Sequence, residues 1–216
     1  MKQANVKQTN KDEVTVLVHG IWMHGLLMAV LARRMRLMGF QTKTFSYDFL
    51  TNTPAINAQN LRRKIDKLGV ARVNLVGHSL GGIVVLHLLE QFPELDVGKV
   101  VLLGSPVQGS FVAKRIQNSP FRLLLGRSAD GGLLGGAPSF KADIPLGIVT
   151  GSGRFGIVAA LYPAGDDSDG VVRHSETLID QATDRVCVPQ SHSAMIFSSQ
   201  CADHIANFLR LGRFHR

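Results

Sequence analysis

Val73-Asn74-Leu75-Val76-Gly77-His78-Ser79-Leu80-Gly81-Gly82 is the stretch that decides how this chain folds. A β-branched run ends in Gly-x-Ser-x-Gly, and a mostly apolar run of helical length follows over residues 80–91. Read in order, this is a strand, a very tight turn and a helix. So sharp a turn forces its central serine into an unusual backbone conformation, and side chains at 77 and 81 would collide with the chain folding back on itself; glycine removes both collisions. The turn lifts the Ser79 hydroxyl above the sheet, beside a helix N-terminus whose dipole favours negative charge. Gly-x-Ser-x-Gly recurs by chance as a plain connecting turn, so its weight comes from its place between a strand and a helix.

Working outward, short valine-rich runs alternate with segments of helical period, the pattern of β/α units around a parallel sheet. Strands are expected at 14–18, 42–47, 72–76, 99–103 and 146–150, with a weak one near 185–188. A helix over 26–38 ends at Gly39, where a left-handed cap is expected. Thr53-Pro54 opens a second helix, threonine capping free amides and proline tolerating the first position; Leu61, Ile65 and Leu68 continue its apolar face. Residues 80–91 and 199–211 form two more, the last burying Ile205, Phe208 and Leu209. Residues 107–143 break the rhythm with apolar clusters among glycines. The expected organisation is a polar tail over 1–12 and one domain over 13–216, with a cap- or lid-like insertion at about 107–143.

Of the 216 residues, 45% are hydrophobic and 19% charged, enough for one sizeable core and unlike a disordered chain. Cys187 and Cys201 belong to no metal-binding spacing, and both read as reduced and structural; no metal site is expected. Lys and Arg exceed Asp and Glu by 24 to 16, a net charge of +8. The surplus is scattered: Arg33, Arg34 and Arg36 in one helix, Arg62, Arg63, Lys64 and Lys67 in another, Arg210, Arg213 and Arg216 at the tail. No aromatic residues interleave with them, so specific nucleic-acid binding is not expected, and weak contact with an anionic membrane surface is the partner the charge allows. The apolar stretch 14–32 is not read as a signal peptide, because Asp12 and Glu13 abut it, His19 and His24 interrupt it and Arg33-Arg34 close it. A cytoplasmic protein is expected, its oligomeric state open.

Gly-His-Ser-Leu-Gly-Gly at 77–82, with the β/α rhythm from residue 14 to the last helix, resembles the α/β-hydrolase superfamily, and within it the small bacterial esterases and lipases. The resemblance implies a mostly parallel, twisted sheet flanked by helices on both faces. It also implies acyl transfer to the serine, hydrolysis of the acyl-enzyme by water, no cofactor, and a small acyl ester as substrate. A serine hydroxyl needs a base, and the base needs a carboxylate to hold its tautomer; in this fold the order is Ser, Asp or Glu, His. Among His87, His174, His192, His204 and His215, His192 lies just before the last helix, where family members carry the base, and His174 is its rival. Asp169 opens an Asp-Gly-Val-Val pattern seen in similar lipases; Asp166 and Asp167 compete with it. A calcium loop is disfavoured, since EF-hand spacing is missing.

The oxyanion amides implied are Leu80, after the nucleophile, and Ile21, after His19-Gly20, with His19 orienting that loop. Trp22 and Met23 beside it, and Phe111, Phe121, Leu123, Leu124, Leu125, Leu133 and Leu134 in the insertion, would line an acyl pocket or lid, although any one of them would equally well complete the core. Gly151-Ser152-Gly153-Arg154-Phe155-Gly156 matches a dinucleotide fingerprint but lacks its βαβ context and is read as a loop. An ester hydrolase is the leading reading, with an acyltransferase, a thioesterase or a noncatalytic binding protein as alternatives.

Overall fold

A computed structural model describes residues 13–165 and 167–215; the tail expected over 1–12, Asp166 and Arg216 lie outside the described residues. Six strands, β1 (Glu13–Val18), β2 (Thr42–Phe45), β3 (Arg72–His78), β4 (Val97–Leu103), β5 (Leu146–Gly153) and β6 (Asp184–Ser191), form one sheet in the order β2-β1-β3-β4-β5-β6. All five pairings are parallel. The four central strands are near-continuous apolar runs because both faces are covered. On one face, α2 (Pro54–Asp66) and α3 (Leu80–Gln91) bury Leu61, Ile65, Val84 and Leu88 against Val16, Leu75 and Val100. On the other, α1 (Ala29–Leu37) and α6 (Ser199–Leu211) bury Leu31, Met35, Ile205 and Phe208 against Leu17, Val76 and Val101.

Local chemistry sets the boundaries. The Thr53 hydroxyl accepts from the Ile56 amide and caps α2, and Gly39, with φ +94, follows α1. That helix begins at Ala29, three residues later than its periodicity predicts, because residues 24–28 form turns closed by Leu27 N–H to His24 O and Met28 N–H to Gly25 O. β2 stops at Phe45, since the Tyr47 amide turns to His19 Nε2, away from the strand ladder. β6 is twice the length expected: as an edge strand it is only intermittently buried, which dilutes its apolar signal. Of the two cysteines, neither disulfide-bonded, Cys201 is buried on the inner face of α6, whereas Cys187 is exposed on β6 and completes no core.

Between β4 and β5, Ser110 caps α4 (Phe111–Gln117) by accepting from the Ala113 amide, and a 3-10 segment, Arg122–Ala129, follows; the short α5 (Ile157–Leu161) comes after β5. Gly126, with φ +54, lets this segment lie on the backbone of Leu50 at a distance where a Cβ would sit 2.5 Å from Leu50 Cα. Val112, Ile116, Leu125 and Leu133 pack over Leu80 and Ile83, just beyond the Gly-x-Ser-x-Gly turn. Among the described residues, no helix is long and apolar enough to cross a membrane.

Candidate active site

Ser79 stands between β3 and α3 with φ 54 and ψ −125, a conformation rare for any residue with a side chain. Two close approaches enforce it. A Cβ on Gly77 would lie 2.5 Å from Gly82 Cα, and one on Gly81 would lie 2.5 Å from the His19 carbonyl oxygen. The Ser79 amide donates to the Leu103 carbonyl at 2.9 Å, so the turn is tied to the end of β4 as well.

The loop after β1 is pressed against this turn. A Cβ on Gly20 would fall 2.9 Å from Ser79 Cβ and 3.1 Å from His78 Nδ1. His19 holds the loop: its Nδ1–H donates to the Gly20 carbonyl at 2.7 Å, its Nε2 accepts from the Tyr47 amide at 3.3 Å, and its ring stacks on Tyr47 with centroids 4.3 Å apart. The Tyr47 hydroxyl closes the unit by donating to the His19 carbonyl at 2.8 Å. Burial holds His19 below the usual histidine range, in keeping with a neutral ring that donates at one nitrogen and accepts at the other. Because a trans peptide points its N–H opposite its C=O, fixing the Gly20 carbonyl also fixes the Ile21 N–H. Among the described residues, neither the Ile21 nor the Leu80 amide has a protein acceptor.

Asp169 and His192 meet at the carboxyl ends of β5 and β6. Asp169 Oδ2 accepts from His192 Nδ1–H at 2.7 Å, while Oδ1 accepts from the amides of Val171 at 3.0 Å and Val172 at 2.7 Å. The His192 amide returns a bond to the Asp169 carbonyl at 2.9 Å. Both side chains are almost wholly buried. Burial pushes the Asp169 carboxyl up, but the electrostatic pull and hydrogen bond of His192 and the two valine amides outweigh it, leaving the group below its ordinary value and ionised. A Cβ on Gly104, after β4, would touch Asp169 Oδ2, Met195 Cε and His192 Nδ1 within 3.1 Å, so this bare position admits the pair to the centre of the sheet edge.

His78 joins the pair to the serine turn, a part for which sequence carries no signal beyond its place next to Ser79. Its Nε2–H donates to the His192 carbonyl at 3.0 Å, and the two rings pack with centroids 4.8 Å apart. Burial first, and then the neighbouring His192, push His78 down to about 3, so its ring is neutral. The His192 loop is thus packed through His78 against the turn that carries Ser79, and among the described residues no hydrogen bond engages the Ser79 hydroxyl.

The rival groups point elsewhere. His174 Nδ1 faces Asp167 at 2.7 Å and its Nε2 faces the Gly151 carbonyl at 2.7 Å; His87 Nε2 bonds the Gly131 carbonyl at 2.7 Å. Asp167 therefore serves His174, and Asp166 is outside the described residues. Glu176, another group without a sequence signal, accepts from the amides of Phe111 at 2.5 Å and Arg173 at 2.9 Å, tying the start of α4 to the loop after Asp169. Burial raises its carboxyl above the ordinary range despite those bonds. Phe111 lies under the Arg173 guanidinium, 3.6 Å from ring centroid to Cζ, and packs with Ile21 around the Leu80 cluster. Met23 packs instead with the α1 and α6 core. Phe121, Leu123 and Leu124 are exposed, and Trp22, at φ 57, donates its indole N–H to the Leu124 carbonyl at 2.8 Å. Among the described residues, no group of three or more His, Cys, Asp or Glu could hold a metal ion.

Comparison with solved structures places this architecture. The mature lipase BlEst2 of Bacillus licheniformis superposes with a TM-score of 0.68 over 92% of this chain and 91% of its own, at 19% identity. Carboxylesterase CesB of Bacillus subtilis gives 0.63 over 94% and 85%, at 14% identity. The fold is that of the α/β-hydrolases. In sequence, a 2-hydroxy-6-oxononadienedioate/2-hydroxy-6-oxononatrienedioate hydrolase of a Pseudomonas species is 29% identical over 128 residues, 54% of this chain. The matched part spans 45% of that relative's length, so less than half of it is represented. A family model described as "Domain of unknown function (DUF7379)" matches residues 2–127, more than half of the chain, and the protein belongs to that family.

Proposed function

We propose that the protein is a serine hydrolase of carboxylic esters, acyl or lipid-like, working through an acyl-enzyme on Ser79. The observation that carries this reading is the buried Asp169–His192 pair, 2.7 Å apart, packed through His78 against the strained serine turn. His192 Nε2, opposite the nitrogen held by Asp169, takes the Ser79 proton as Oγ attacks the acyl carbon. The negative charge arriving on the carbonyl oxygen is met by the free amides of Ile21 and Leu80, each worth about 3 kcal/mol by precedent elsewhere. The protonated His192 then gives its proton to the departing alkoxide, and water, deprotonated by the same nitrogen, releases the acid. An acyltransferase would share every step except the last, with an alcohol in place of water. The superposed esterases and the distant hydrolase relative agree with an ester or related acyl bond as the target.

Fluorophosphonate labelling with mass spectrometry of the modified peptide tests the nucleophile, and a p-nitrophenyl ester series from acetate upward tests the acyl preference. An adduct on Ser79, absent from His192→Ala, is expected. Well-folded protein that neither forms the adduct nor turns over any ester would refute the reading.

A further inference from the structure

We infer that the rim around the Ser79 turn is a docking surface for an anionic lipid bilayer, an inference that rests on the ester-hydrolase reading for its purpose but not for its evidence. Three segments build the rim: residues 20–30 and 153–161, which run on from the carboxyl ends of β1 and β5 and hence lie at the same edge of the sheet as Ser79, and residues 119–126, which follow α4 and are tied to the first by the hydrogen bond of the Trp22 indole to Leu124. Their inner residues Ile21, Leu125 and Val158 converge on the cluster around Leu80 and Ile83. Their outer residues are bare: Leu26 is 84% exposed, Leu123 81%, Phe155 83% and Ile157 80%, with Phe121, Leu124 and Leu161 more than half exposed.

Scattered exposed leucines are ordinary, but this many on adjoining loops at one edge form the kind of patch that marks an interface. Charge selects the occupant. Across all three segments the only Lys, Arg, Asp or Glu side chains are Arg122 and Arg154, both cationic and both next to an exposed phenylalanine, on a chain of net charge +8. Apolar tips that enter the acyl boundary, with guanidinium groups at the level of anionic headgroups, are the arrangement a bilayer surface recognises. Docking there would put the Ser79 turn against the surface in which a lipid ester resides.

The test is co-sedimentation of the full chain with phosphatidylcholine vesicles, with and without phosphatidylglycerol, at low and high salt. Wild type should partition onto the anionic vesicles. L26S/F155S/I157S should bind at least about tenfold more weakly, since each withdrawn side chain is worth more than a factor of ten when fully buried. R122E should lose chiefly the salt-sensitive part. Ser79 labelling and p-nitrophenyl acetate hydrolysis should be unchanged in the triple variant, whose substitutions lie outside the site. Failure of wild type to sediment with anionic vesicles, or equal sedimentation of the triple variant, would overturn the inference. So would sedimentation velocity showing a wild-type dimer, monomeric in the triple variant and indifferent to vesicles, which would give the face to a second copy. Vesicle binding without Ser79 labelling would instead sink the hydrolase reading and leave the surface standing.

Discussion

Asp169→Asn is the substitution that tests the site most sharply, because both carboxylate oxygens have assigned partners. Oδ1 is anchored by the Val171 and Val172 amides, which demand an acceptor. An asparagine therefore keeps its carbonyl there and turns its NH2 toward His192 Nδ1, at the 2.7 Å where Oδ2 stood. Two donors cannot share that contact, so the imidazole shifts its proton to Nε2 and offers a lone pair at Nδ1. The nitrogen that should take the Ser79 proton then has no lone pair. The same exchange of tautomer in an unrelated triad lowers kcat by about 10⁴, which corresponds to about 5.5 kcal/mol of barrier at 1.36 kcal/mol per decade. Kcat and the fluorophosphonate labelling rate should fall together by that order, with the melting curve showing that the fold survives. An Asp169→Asn protein within tenfold of wild type in both would refute the assignment of Asp169 as the partner of the base.

Four further outcomes are expected. Ser79→Ala should form no fluorophosphonate adduct, and His192→Ala should lose most turnover while His174→Ala keeps it; the reverse pattern in a kcat comparison would move the base to His174. Gly20→Ala places a methyl 2.9 Å from Ser79 Cβ and should reduce kcat about 100-fold by displacing the Ile21 amide, with little change in melting temperature. Acid should destabilise the fold through His78: its folded value of about 3 lies below the unfolded 6.5, so the unfolded chain binds the proton first. That contribution is fully present above pH 6.5 and is lost as pH falls toward 3, by up to about 1.4 kcal/mol per pH unit. His19 acts in the same direction, and urea unfolding between pH 7 and 4 should show a shallower slope in His78→Asn. Phe208→Ala, which empties a fully buried site against Phe214 at a centroid distance of 4.9 Å, should cost about 3–5 kcal/mol in chemical denaturation.

How much was legible in the chain varies with the range of the interaction. The β3–turn–α3 unit reads directly from residues 73–91 because strand period, tight-turn glycines and helix period are local properties, and α6 over 199–211 reads equally well from its amphipathic spacing. The start of α1 is misread by three residues because residues 24–28 answer to a loop that folds onto Ser46 and Tyr47, through contacts such as the Gly25 amide to the Ser46 hydroxyl. β6 is faint in sequence because an edge strand need not be apolar on both faces.

The sequence by itself determined the kind of sheet, the serine turn and the short set of histidines and aspartates from which a partner pair could be drawn, since these follow from residue type and spacing. Only the tertiary structure decided that Asp169 faces His192 while Asp167 faces His174, that His78 bridges the serine turn to the His192 loop, and that residues 121–124 turn outward. Those choices depend on strand ends brought side by side from positions 114 residues apart along the chain, and on which groups win the few hydrogen-bond acceptors in a space from which water is excluded. Neither is written in any local window of residues.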